Sequence, residues 1–160
     1  VGYIYDTKGK GTKVENCVNF GILSGTTAGG IAGFVNTTRS NMYITNCVNN
    51  VQYPTNTSYG AIIGYADGYI QVSKCYWDND SQKCINTILG AYTHITNCGT
   101  FSQGSSMSNF KAGTAQNCGV AQKLAYSGKN LLQSLNQYAT ENGVNSYTWK
   151  YINDEGVSFN

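Results

Sequence analysis

The sequence predicts an all-β protein: a parallel β-helix, or β-solenoid, of about five irregular coils with a C-terminal helix-plus-hairpin cap. Three observations predict it: a returning apolar-x-Asn-Cys phrase, a Gly-rich apolar phrase between its copies, and a composition with 19 Gly, 13 Tyr and one Pro. Gly and Asn tolerate the tight turns that join short strands. An irregular repeat of this length with two strand-like runs per copy is typical of solenoids.

The Cys phrase appears as VENCVNF, ITNCVNN, ITNCGTF and AQNCGVA, and as SKCYW with Lys74 in place of Asn. Its spacings of 30, 28, 23 and 20 residues shorten toward the C-terminus. We expect the repeated cysteines to occupy equivalent, mostly buried positions, because Cys behaves as a small apolar residue. Whether Ile44 or Cys47 faces the core is open, since a turn at Asn46 would change the alternation of side chains. The predicted column is Cys17, Cys47, Cys75, Cys98 and Cys118.

Three interpretations of these cysteines compete. Metal ligation is disfavoured because no CxxC spacing occurs and His94 is the only histidine, so we expect no metal site. Disulfides are compatible with six cysteines and with a secreted protein. The candidate pair is Cys75 and Cys84, which would close the loop between them. A stacked column of thiols fits the repeat most directly.

The Gly-rich phrase reads GGIAGFV at 29–35 and GAIIGYA at 60–66, with a weaker copy, TILGAYT, at 87–93. We expect its glycines to lie where coils bend or where backbones approach closely. The sequences between the phrases, such as NTTRSNM, are polar and are predicted to be loops that absorb the differences in length.

These phrases resemble the GLUG-motif family of repeat proteins, whose copies combine a Gly-Gly-apolar-Gly strand with a strand ending in Asn-Cys. Residues 29–49 are close to that pattern and residues 60–77 are similar, whereas residues 101–126 resemble it weakly. The family occurs in large bacterial and some protist surface or secreted proteins. The resemblance implies a β-helix and implies no catalytic role or cofactor.

The sequence pattern changes after Cys118. We therefore divide the chain into solenoid repeats at 1–122 and a cap at 123–160. Leucines and other apolar residues at helical spacing predict an amphipathic helix over about 128–142, with Gly143 after its end. A β-pair is predicted over about 146–160 across NDEG. We expect these elements to cover the last coil; the alternative is a helix that recruits a partner.

The stretch YWDND offers a weak candidate ligand site composed of Tyr76, Trp77, Asp78 and Asp80. Aromatic rings beside carboxylates suit carbohydrate binding, because rings stack on the faces of sugars. Asp78 and Asp80 could also begin a calcium loop, although the remaining ligands of that pattern are missing. The alternative to both is an ordinary surface turn.

Asn36, Asn56 and Asn79 each begin an Asn-x-Ser/Thr sequon in a predicted loop. They are candidate N-glycosylation sites if the source is a eukaryote. Chance matches are expected in a chain with this much Asn and Thr.

We predict no catalytic residues. Cys98 lies four positions after His94 and could share its strand face, but a catalytic Cys-His pair needs an orienting group and a cleft. The eight acidic residues are spread from Asp6 to Glu155, which does not supply the facing carboxylates of a glycan-active enzyme. Fold analogy alone does not imply an activity.

The sequence therefore predicts a non-enzymatic extracellular or cell-surface domain that spaces, presents or adheres, within a larger or filament-forming protein. The alternatives are a carbohydrate-binding module and, third, a glycan-active β-helix enzyme. Expected partners are a protein or a glycan on a surface, with self-association through an open N-terminal edge. A net charge of +2 disfavours nucleic acid, and no apolar run is long enough for membrane insertion.

Overall fold

A computed structural model shows mostly parallel β-sheet and, among the residues it describes, one α-helix. The coarse fold prediction, a β-rich chain with parallel strand pairing, is confirmed. The structure describes residues 2–6, 11–25, 27–50, 59–77, 83–89, 92–96, 98–100, 111–112, 131–144, 146, 148–151 and 157–159.

The elements in chain order are β1 (Tyr3–Asp6), β2 (Lys13–Glu15), β3 (Val18–Asn19), β4 (Ala32–Thr45), β5 (Val48–Asn49), β6 (Ile63–Ser73), β7 (Tyr76–Trp77), β8 (Ile85–Ile88), β9 (Thr93–Thr96), β10 (Gly99–Thr100), β11 (Lys111–Ala112), α1 (Leu131–Glu141), β12 (Trp149–Tyr151) and β13 (Val157–Phe159).

Two parallel sheets carry the architecture. The larger sheet has the order β1-β4-β6-β8, with β2 beside β4 and β9 beside β6. The smaller sheet has the order β3-β5-β7-β10-β11 and is parallel except for its last pair. In both sheets, the order of the strands along the main path follows their order in the chain.

The core lies on the inner face of the larger sheet, where side chains from successive copies form columns. One column contains Val35 and Ala66, and another contains Ile44, Val72 and Ile95. These side chains are 0–1% exposed. Because residues in parallel register share a face, each strand extends the apolar column of its neighbour.

A left-handed bend joins the two sheets in three copies. The φ angle is 55° at Asn16, 54° at Asn46 and 53° at Lys74. Asn adopts this conformation more readily than most residues. The bend interrupts the side-chain alternation, so that Ile44 and Cys47 both enter the core. This resolves the question that the alternation alone leaves open.

The third copy of the Gly-rich phrase is not where the sequence predicts it. Ile63 pairs with Ile85 and Tyr65 pairs with Thr87, so the segment that starts at Cys84 continues the stack. The predicted copy at 87–93 is therefore out of register. The error arises because Asn86 stands where Gly64 stands in the previous copy, which removes the glycine signal.

The last predicted coil falls largely outside the described residues, so the cap stays a prediction, but α1 is present. It contacts residues at or beside the bends of three consecutive copies, namely Glu15, Asn46 and Lys74. The helix thus runs alongside the stack. It ends in a Schellman-type cap, because Gly143 has a φ of 69° and the Val144 N–H donates to the Ala139 carbonyl over 2.9 Å. The antiparallel β12–β13 pair is present as predicted.

Candidate functional site

The predicted YWDND site is wrong for its aromatic residues. Tyr76 and Trp77 form β7 and are 0% exposed, and Trp77 belongs to the core. They lie on β7, which is the middle strand between β5 and β10 in the smaller sheet. Neither ring can stack on a sugar from solvent. Asp78 and Asp80 lie outside the described residues.

The sequon at Asn36 is in a strand and not in a loop. Asn36 lies in the fourteen-residue β4, between Tyr5 of β1 and Asp67 of β6. Its amide nitrogen, the atom that a glycan would occupy, donates to the Asp67 carboxylate over 3.2 Å. This geometry disfavours glycosylation there. Asn56 and Asn79 lie outside the described residues.

Four of the five column cysteines lie at equivalent positions, each directly before a strand of the smaller sheet. The pairs Val18–Val48, Val48–Tyr76 and Tyr76–Gly99 are in parallel register, so the cysteines before them are neighbours. Cys17 is half-buried, and the three others are 0% exposed. Cys118 lies outside the described residues. The column members described are Cys17, Cys47, Cys75 and Cys98.

The thiols of the column interact with one another. Neighbouring thiols shift one another's pKa values along the series Cys17, Cys47, Cys75 and Cys98. Bonding to Cys17 and Cys75 lowers the pKa of the Cys47 thiol. Burial raises the pKa of the Cys75 thiol, because an uncharged group is favoured away from water.

The predicted Cys75–Cys84 disulfide is absent, and all five described cysteines are thiols. Cys84 occupies the position that follows Lys83 at the entry to β8, where its carbonyl accepts hydrogen bonds from Ile62 and Ile63. Its side chain interacts with that of Cys98. The Cys75 thiol instead donates to the carbonyls of Ser73 and Ile44.

The seam between α1 and the bends is polar. Asn46 is 0% exposed, and its amide nitrogen donates to Asn16 Oδ1 over 2.7 Å and to the Leu135 carbonyl over 3.2 Å. Lys74 Nζ lies 3.6 Å from Glu141 Oε2 and 4.7 Å from the ring centroid of Tyr138. These contacts attach the helix to the sheets through the residues at the left-handed bends.

An aromatic stack on the outer face of the larger sheet was not predicted. The rings of Tyr3 and Phe34 are 4.8 Å apart at 9°, and those of Phe34 and Tyr65 are 4.6 Å apart at 10°. The signal was present in the sequence, because an aromatic residue directly follows Gly2, Gly33 and Gly64. The stacked rings cover one another's faces and present their edges to solvent.

Tyr5 lies beside this stack and is oriented differently. It is 57% exposed, and its ring is tilted by 40° from that of Tyr3 at 6.1 Å. Asn36 and Asp67 follow it in the same cross-strand row. One exposed ring, an amide and a carboxylate therefore lie in one row on the same face of the sheet. Tyr69 and Tyr92 form a second stacked pair, with their ring centroids 4.4 Å apart.

His94 lies on β9 with its side chain exposed, in register with Gln71. Within the described residues, no group of three or more His, Cys, Asp or Glu side chains is arranged to hold a metal ion. A shallow cavity of about 330 Å³ lies near the start of the chain and is lined by Gly2, Gly29, Gly30 and Ile22 among others. No helix in the described part is long and apolar enough to cross a bilayer.

Comparisons with known proteins return no significant match to this chain among family models, curated proteins or solved structures.

Proposed function

We propose that this chain is a non-enzymatic β-solenoid domain of an extracellular or cell-surface protein, where it spaces, presents or adheres. The observation that carries the proposal is the shared strand order of the two sheets, joined by the same left-handed bend in successive copies. Stacking of equivalent residues gives each copy the same neighbours and builds an extended surface. Closed coils and a repeat architecture are part of this proposal.

Membership of the GLUG-motif family belongs to the same proposal. The two clear Gly-rich phrases lie side by side, with Gly29 bridged to Gly60 in parallel. A Cβ on Gly64 would lie 2.6 Å from the Gly33 carbonyl oxygen and 2.7 Å from that of Ala28. Such close backbone approach gives a physical reason for glycine in the motif.

A carbohydrate-binding function is the second candidate. Its proposed site lies on the outer face of the larger sheet and not at YWDND. It is favoured by the row of Tyr5, Asn36 and Asp67, in which the ring is exposed and the amide and carboxylate hydrogen-bond to each other. A pyranose ring could stack on Tyr5 while its hydroxyl groups bind the polar pair. The ligand class would be neutral polysaccharide.

Binding to immobilised polysaccharides and to cell-surface extracts tests both functions. We expect Tyr5→Ser to reduce polysaccharide binding at least tenfold. Leu89→Ser is the matched control, because Leu89 is also exposed, at 65%, and lies outside the Tyr5 row. Equal binding by both variants and the parent chain would reject the sugar site. Retained binding to a protein component of the extracts would then support the adhesive function.

Self-association is proposed through β1. This strand pairs with β4 on one side, and no strand among the described residues pairs with its other side. Tyr3, at 59% exposure, leaves one ring face open at the same edge. An unpaired parallel edge can accept another strand. Sedimentation over a range of concentrations tests it, and a single monomeric species throughout would reject it.

A further inference from the structure

The column thiols form a regular line of sulfur atoms. Each Sγ donates to the carbonyl two residues earlier, at 3.3–3.4 Å, in all four described members. Each of the last three also approaches a carbonyl of the preceding copy at 3.5–3.8 Å. Because the contacts repeat, the sulfur atoms follow the direction in which the strands stack.

Access to solvent differs along this line. Cys17 is half-buried and stands at one end, whereas Cys47, Cys75 and Cys98 are completely buried. An oxidant in solution can therefore reach the first thiol without any opening of the fold. The other three are separated from solvent by the core.

The spacing permits a disulfide between neighbours. Parallel strands lie about 4.7–4.9 Å apart, and a disulfide tolerates Cα separations of about 4.4–6.8 Å. Thiol–disulfide exchange also needs a third sulfur that approaches along the axis of the existing S–S bond. A line of sulfur atoms provides such an attacking thiol at each step.

We propose that the cysteine column relays disulfide bonds inward from Cys17, so that buried thiols are oxidised without meeting the oxidant. The Cys17 thiolate attacks a low-molecular-weight disulfide and releases one small thiolate. Cys47 then attacks Cys17 Sγ, releases the second small thiolate, and forms the Cys17–Cys47 bond. Two column thiols lose two protons and two electrons, and one external disulfide is reduced to two thiols.

The next steps consume no oxidant. The Cys75 thiolate attacks Cys47 Sγ, and Cys17 leaves as a thiolate that takes up the proton released by Cys75. Cys98 attacks Cys75 Sγ in the same way and frees Cys47. A second external disulfide then closes Cys17–Cys47 again, and the column ends with Cys17–Cys47 and Cys75–Cys98.

Interactions between neighbouring thiols favour the step in which Cys47 attacks Cys17 Sγ, whereas the pKa values of Cys17 and Cys75 are raised, so these two thiols attack through a small thiolate fraction. The thiols on either side of Cys47 stabilise its thiolate, which lowers its pKa. A thiolate is the attacking species in exchange. Cys84 interacts with Cys98 but takes part in none of these steps.

The test is oxidation of the folded chain by oxidised glutathione, followed by alkylation and peptide mapping over time. All chains carry Cys118→Ser, so that every disulfide detected joins two of the described cysteines. We expect Cys17–Cys47 to appear first and Cys75–Cys98 later. Cys17→Ser should slow the formation of Cys75–Cys98 at least tenfold, whereas Cys84→Ser should leave the appearance of Cys17–Cys47 unchanged.

A second way of blocking Cys17 makes the test independent of the folding of that variant. Brief alkylation of the native chain should modify Cys17 alone and should have the same effect as Cys17→Ser. Formation of Cys75–Cys98 at the parent rate after either block would overturn the relay. So would a parent chain that stops at a glutathione adduct of Cys17 or at Cys17–Cys47.

Discussion

The bends at Asn46 and Lys74 have the same backbone conformation and opposite side-chain environments. Their φ angles are 54° and 53°. Asn46 is completely buried and donates two hydrogen bonds, whereas the side chain of Lys74 is 18% exposed and reaches Glu141 on the helix. The two bends thus share a left-handed backbone conformation, and their side chains make different contacts.

The difference also leaves one polar atom without a partner. Among the described residues, no hydrogen-bond donor reaches the buried Oδ1 of Asn46. In the preceding copy, the equivalent atom of Asn16 accepts from Asn46. Lys74 interrupts this ladder because its ammonium group is directed to the helix. At Lys74 the ladder therefore lacks one hydrogen bond, and a contact with α1 takes its place.

Asn46→Ala is expected to have the largest effect on stability. It removes two buried hydrogen bonds and places Ala in a left-handed conformation, which together should lower the free energy of unfolding by about 2–4 kcal/mol. Chemical denaturation measures the change. Asn41→Ala is the control, because Asn41 is exposed and bonds only to Tyr43 in the described structure. Similar losses in the two variants would contradict the importance of the Asn46 bend.

Substituting glycine at each bend separates the effect of the backbone conformation on stability from the effect of the side chain. Gly accepts the left-handed conformation without strain, so Asn46→Gly should still lose about 1–3 kcal/mol from its hydrogen bonds. Lys74→Gly should change stability by less than about 1 kcal/mol, because a partly exposed ion pair contributes little and the strain is relieved. Equal values for the two variants would show that the bends differ less than their contacts indicate.

Lys74→Asn should make the two bends alike. An Asn amide at this position would be placed to donate to Asn46 Oδ1, as Asn46 does to Asn16 in the preceding copy. We expect a gain of about 1 kcal/mol, reduced by loss of the ion pair with Glu141. The thermal midpoint and the denaturation midpoint both report it. A clear loss of stability would mean that the contact with α1 outweighs the completed ladder.

The smallest predicted effect concerns pH at the seam. Burial, and then the charge and hydrogen bond of Glu15, raise the pKa of Tyr138 to about 12 from an ordinary value of 10.0. The folded state therefore holds this proton more tightly than the unfolded state. Its contribution to stability is complete below pH 10 and is lost as the pH rises toward 12.

Tyr138→Phe isolates that effect, since other tyrosines and the lysines titrate in the same range. The parent chain should lose stability more steeply between pH 9 and pH 11 than the variant does. Denaturation midpoints at both values provide the measurement. Parallel declines would indicate that Tyr138 ionises as freely in the folded chain as in the unfolded chain.

Much of the repeat could be predicted because its signals are local. The Asn-Cys pair combines a residue that tolerates a left-handed bend with a small apolar residue, and both properties can be read from sequence. The third Gly-rich copy was missed because Asn86 replaces the glycine. The register there is set by the burial of Ile85 beside Ile63, and no local sequence motif indicates that pairing.

The site and the helix position depended on tertiary contacts. Tyr76 and Trp77 adjoin the charged residues of YWDND, so local composition favoured an exposed position, whereas both side chains are buried and Trp77 belongs to the core. The amphipathic pattern located α1 within the chain, but its docking depends on Asn46 and Lys74, which lie far away in sequence. The aromatic stack depended on register, because single exposed aromatics are unremarkable in sequence.

The register of β4 against β6 shifts between Thr37 and Met42, where four residues of β4 lie opposite Tyr69 alone. Pairing is regular before and after that interval, and the inward side chains on both sides remain in their columns. A change of length in this interval therefore alters what the surface displays and leaves the core contacts in place. Peptides grafted between Thr37 and Met42 should be presented at the side of the sheet, which makes this interval the natural insertion point for engineering the chain as a display scaffold.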